Sequence, residues 1–73
     1  MSALTPVAAR IIGLREARGL TRTRLSQLSG VPLRTLEEWE ASRRVPRDVY
    51  QIHAAAAALG ISIEEYLGLS EDK

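Results

Sequence analysis

The residues able to do chemistry in this 73-residue chain are mostly arginines, and the spacing around Arg34 is the most informative. Arg34 and Glu38 stand four apart, so on a helix they share a face and are presented together to whatever that face meets. An arginine offers a fork of donors matching O6 and N7 of guanine. A glutamate can accept from N4 of cytosine, and Leu33 beside them can touch a thymine methyl. The plainer chemistry of the same pair is an exposed ion pair worth about 0.3–0.5 kcal/mol. Arg22 stands where a short helix would begin, adding its charge to backbone donors that can face a phosphate. Arg43 and Arg44 are adjacent in a polar stretch. His53 is the only histidine and cysteine is absent, so neither a thiolate metal site nor a disulfide framework is available. With no Gly-rich phosphate loop and no paired carboxylates in an evident cleft, we expect no enzyme activity, no cofactor, no small-molecule ligand and no metal.

The net charge of +1 conceals an asymmetry. Residues 1–47 carry nine arginines against Glu16, Glu37, Glu38 and Glu40, a balance of +5, whereas residues 48–73 carry Lys73 against five acids, a balance of −4. An anionic partner is therefore expected on the side that holds the arginines. Seventy-three residues allow one domain, and with 4% aromatics and no Phe its core must be built from Leu, Ile, Val and Ala. No signal peptide is evident, and the Ala-rich stretch Val49 to Ile63 is too short to span a bilayer, so a cytoplasmic location without membrane contact is expected.

The elements that must position these side chains read as five helices. Thr5-Pro6 caps and starts a helix over 6–18, with Val7, Ile11 and Leu14 facing inward, Arg10, Gly13 and Arg18 on the other face, and Gly19 as the stop. Thr21 caps a second helix over 22–29, burying Leu25 and Leu28, and Gly30 is free to take a positive φ. Val31 turns inward. Pro32 permits only a helix start, so a third helix covers about 33–42 and brings Leu36, Trp39 and Leu33 within reach of the core. A polar exit from Ser42 to Arg47 contains Pro46. Asp48 caps a fourth helix over 49–59 whose inward face is Val49, Ile52, Ala56 and Leu59, and Gly60 stops it. Ser62 and Glu65 form a capping box for a last helix over 63–68 with Ile63 and Leu67 inward. Ser70 to Lys73 reads as a frayed end. No segment has strand periodicity, so the expected fold is all-α, a compact five-helix domain with its core over about 6–68.

The spacing Leu25, Leu28, Gly30, Val31, Leu36, Trp39, Glu40 describes one short helix bracing another across a glycine turn. On these residues, with Leu14-Arg15-Glu16, Gly19-Leu20-Thr21, Thr35-Leu36, Arg43-Arg44, Pro46 and Ala57-Ala58-Leu59-Gly60-Ile61-Ser62, the chain resembles the Cro and lambda-repressor-like helix-turn-helix family, the XRE family. The resemblance runs from about Arg10 to Leu67. It implies a five-helix domain whose third helix reads base edges in the major groove. It implies that Arg15 and Glu40 form an internal ion pair tying the first helix to the third. It places Leu33, Arg34 and Glu38 at base-reading positions, with Pro32, Thr35 and Glu37 beside them. Arg22, Gln27, Arg43 and Arg44 fall at positions that meet phosphate or sugar, and Thr35 joins that backbone set. The chain departs from the pattern at Arg22 and Ser26, at Pro32 and Leu33 where polar residues are usual, and at Ser42 where a glycine usually follows the third helix.

The expectation from sequence is a DNA-binding transcription regulator of repressor type, acting on double-stranded DNA as a weak or DNA-assisted homodimer, with the fifth helix as the interface by resemblance. The competing expectation is the same fold used as a protein-interaction module or antitoxin-like partner, with Leu33 and the two glutamates meeting protein.

Overall fold

The computed structural model describes residues 4–69. It contains α1 (Pro6–Ala17), α2 (Arg22–Ser29), α3 (Leu33–Glu40), α4 (Val49–Leu59) and α5 (Ile63–Leu67), and no strand among the described residues. Four of the five starts are fixed by a side chain that satisfies an otherwise unpaired amide. Thr5 accepts from the Ala8 N–H, Thr21 from Arg24, and Asp48 from Tyr50 and Gln51. Ser62 and Glu65 make both bonds of a capping box. α3 has no side-chain cap; it begins after Pro32, whose φ of −56° already suits helix entry.

Three helices end sooner than their sequence suggests: α1 at Ala17 rather than residue 18, α3 at Glu40 rather than 42, and α5 at Leu67 rather than 68. In each case the next turn closes on a residue with positive φ: Gly19 at 68°, Ser42 at 62° and Gly68 at 75°. Ser42 is the only non-glycine among them. Its backbone completes a Schellman end, the Ser42 N–H donating to Trp39 O at 3.3 Å and the Arg43 N–H to Glu38 O at 2.9 Å. Glycine meets a positive φ most easily, and here a serine takes it. In exchange, Ser42 Oγ accepts from the Thr5 N–H at 3.0 Å, tying the end of α3 to the cap of α1.

α2 packs against α3 and α4, α1 against α3 and α5, and α4 against α5. Between them lie Ile11, Leu25, Val31, Leu36, Trp39, Ile52, Ala55, Ala56, Leu59 and Tyr66. Trp39 and Tyr66 meet edge to face with ring centroids 6.4 Å apart, so the aromatic content of the core is one well-oriented pair. Tyr66 is fully buried within the domain, and Leu69 beyond it is exposed.

Two expected core residues lie outside. Leu28 is exposed because α2 is rolled toward its serines: Ser26 Oγ donates to Val31 O at 2.6 Å and Ser29 Oγ accepts from the Val31 N–H at 3.1 Å. Those bonds set the turn into α3 and leave Leu25 as the buried residue of α2. Val49 is exposed because the buried stripe of α4 runs through Ile52, Ala55, Ala56 and Leu59, rotated toward Ala55. The expected frayed end, Ser70 to Lys73, lies outside the described residues. No helix among the described residues is long and apolar enough to cross a membrane.

Candidate nucleic-acid interface

Glu40 is the one buried charged residue of the domain among the described residues, at 5% exposure. A buried carboxylate is costly unless it is paired and fully hydrogen-bonded. Arg15, from α1, meets it with a two-pronged grip: Nε donates to Oε2 at 2.8 Å and Nη2 to Oε1 at 3.0 Å. The remaining prong, Nη1, donates to Leu20 O at 2.7 Å. Hydrogen bonding to Glu40 raises the pKa of the Arg15 guanidinium above its already high ordinary value, against the opposing effect of burial. The result fixes the inward edge of α3 to α1 and to the chain entering α2.

With Leu36, Trp39 and Glu40 facing in, the helical period leaves Arg34, Glu37, Glu38 and Ala41 on the outward arc, with Leu33 at the edge of the inward face in the first turn. Arg34 is 88% exposed at its side chain, Glu37 and Ala41 are exposed, and Leu33 and Glu38 are half-buried. Glu38 sits between two cations: Oε2 lies 3.5 Å from Arg34 Nε, and Oε1 lies 3.5 Å from Arg44 Nη1. Arg22, at the start of α2, is half-exposed and places Nη1 3.9 Å from Glu40 Oε1. Gln27 is exposed and accepts from Arg24 Nη1 at 3.2 Å, while Thr35 is half-buried on the far edge of α3.

Two shallow clefts join these side chains into a band. One, of about 420 Å³, is lined by Arg22, Arg34, Glu37, Glu38, Ala41 and Arg43. The other, of about 570 Å³, is lined by Thr35, Trp39, Arg43, Arg44, Arg47 and neighbours up to Gln51. Arg43 lines both, so the two clefts adjoin and gather Arg22, Arg34, Arg43, Arg44 and Arg47 into an arginine-rich band around α3 that also holds Glu37, Glu38 and Asp48. Among the acids along it, Asp48 is occupied in capping α4 and Glu38 is held between arginines. Glu37 makes no ion pair with another described residue.

The arginines of α1 belong elsewhere. Arg10 Nε donates to Glu65 O at the end of α5, and Arg18 Nε donates to Leu59 O at 2.7 Å at the end of α4. Each cation meets the carbonyl-rich end of a helix, where positive charge is favoured. Sequence periodicity put Arg10 and Arg18 on the face opposite the apolar stripe, and it carried no signal for the helix ends that dock there. It likewise gave no sign that Glu38 is shared by two arginines, because Arg44 reaches it only through the Schellman turn at Ser42.

Comparison with protein-family models, with curated proteins and with solved structures found no match to this chain.

Proposed function

We propose that this domain is a helix-turn-helix DNA-binding module, with α2 bracing α3 and the outward arc of α3 entering the major groove. The observation that carries the reading is the arginine-rich band around α3, in which two adjoining clefts gather Arg22, Arg34, Arg43, Arg44 and Arg47. Arg10 and Arg18 are tied to helix ends and Arg15 to Glu40, and of the remaining six arginines all but Arg24 line the two clefts. In this reading the eight-residue helix presents Leu33, Arg34 and Glu38 to base edges, while Arg22, Arg43, Arg44 and Arg47 beside it meet the phosphate backbone. Thr35 and Gln27 border that set. Such a module acts as a transcription regulator of repressor type in this reading. Because a single small module buries only about 600–1,000 Å² on DNA, two copies on a palindromic site supply the specificity.

A second reading is favoured by a different observation. Val45, Val49 and Tyr50 are exposed next to the band, with Tyr50 at 86%. An apolar group beside cations also suits a protein partner, which is the interaction-module reading.

The two respond differently to salt. Neutralising about four phosphates with Arg22, Arg43, Arg44 and Arg47 gives a log–log slope of about −3.6 for binding to a random-sequence duplex. Fluorescence anisotropy with a labelled 20-base-pair duplex over a series of salt concentrations measures it. A slope near zero, or no binding at low salt, overturns the DNA reading.

A further inference from the structure

Resting on the reading of α3 as a groove-bound helix, we infer that Glu38 is a positioning residue that aims Arg34 at a guanine, and does not itself read cytosine. Both oxygens of its carboxylate already face cations, Oε2 toward Arg34 Nε and Oε1 toward Arg44 Nη1, each at 3.5 Å. Glu38 is the anchored member of the trio: its side chain is 24% exposed, against 88% for Arg34 and 67% for Arg44. The contact to Arg34 is made through Nε. That leaves the terminal Nη1 and Nη2 pair, the end of the guanidinium whose spacing matches O6 and N7 of guanine, without a hydrogen-bond partner among the described residues.

The backbone supports the same division of roles. The Arg43 and Arg44 N–H groups donate to Glu38 O at 2.9 and 3.3 Å, so the exit loop is attached to this residue through main chain as well as side chain. Arg44 is thereby carried to the rim of α3, where a phosphate passes a groove-bound helix. In water the two 3.5 Å pairs are weak and screened; in a groove from which water has been expelled they strengthen, just when Arg34 needs a fixed direction. Bridging also answers the electrostatic problem of an acid on this face, since the Glu38 charge is offset by two cations before it approaches phosphate.

The test begins with selection from a random duplex library, followed by competition binding on the selected site with each base pair changed in turn. The proteins compared are the wild type, R34A, E38A, E38Q and R34A/E38A. Expected is that E38A loses about tenfold discrimination at the same guanine pair that R34A relaxes. The double variant should be no worse there than R34A, E38Q should keep part of the preference through its amide oxygen, and affinity for random duplex should not fall in E38A. Relaxation of a different base pair by E38A, or multiplying effects in the double variant, overturns the positioning role while leaving the DNA reading intact. A uniform loss across all sequences also overturns it, because that is what simple damage to the fold produces. A wild type that enriches no sequence overturns this inference and the DNA reading together.

Discussion

Arg15 and Glu40 show what one residue contributes at this size. A domain of 73 residues has a stability on the order of roughly 4–11 kcal/mol. Removing one partner of a buried pair strands the other, at a cost of about 3 kcal/mol. Arg15→Ala is therefore expected to lower thermal stability strongly, softened by Arg22, which stands 3.9 Å from the same carboxylate. Arg15→Ala with Glu40→Gln should cost less than the sum of the two single changes, measured by urea unfolding. At the surface the expectation reverses: Arg43→Ala should leave the melting temperature nearly unchanged and weaken binding to all duplexes alike, read by the same anisotropy titration. The partners of Arg15 were indicated by the family resemblance and not by spacing, since positions 15 and 40 share no helix. The partners of Arg10 and Arg18 had no local signal, because they are backbone carbonyls of distant helix ends.

At the scale of elements, the N-terminal caps were legible because each is a short-range hydrogen-bond requirement written in one or two residues. Thr5-Pro6, Thr21, Asp48 and Ser62 with Glu65 all cap where their types imply. Which face of a short helix is buried was less legible. α2 offers Leu25 and Leu28 at equal cost by periodicity, and the choice is made by Ser26 and Ser29 bonding the Val31 backbone. The end of α3 was misplaced by two residues because Ser42 takes a conformation that its side chain does not advertise. The Ser42 hydroxyl contributes a bond to Thr5 while its backbone bears the strain of positive φ. Ser42→Ala should accordingly lose about 1 kcal/mol, keeping the strain without the bond. Ser42→Gly, which relieves the strain, should be the more stable of the two, as compared by thermal melts.

The whole molecule divides its charge by location. Arginines on α1 close helix ends and the Glu40 pair, and Arg22, Arg34, Arg43, Arg44 and Arg47 gather in the band around α3. Its pH response is set in the core. Burial of Tyr66, assisted by the nearby Glu40 charge and opposed by Arg15, raises its phenol pKa above the ordinary value of 10.0. A raised acid of this kind favours folding fully below the unfolded value, and that contribution drains away as pH climbs above about 10 and the unfolded chain releases the proton. Melting temperatures taken from pH 7 to 11 should fall above pH 10. The Tyr66→Phe variant should fall less over that interval; an equal fall would place the alkaline sensitivity elsewhere.

The central claim is that the arginine band around α3 meets DNA. Amide chemical shifts of the labelled protein, followed while a duplex is added, test it most directly. The account predicts that the perturbed amides cluster at the start of α2, along Leu33 to Ala41 and through Ser42 to Arg47, with the middle and end of α4 and all of α5 quiet. Perturbation centred on Val49, His53 and Ala57, or none at all at low salt, would contradict it.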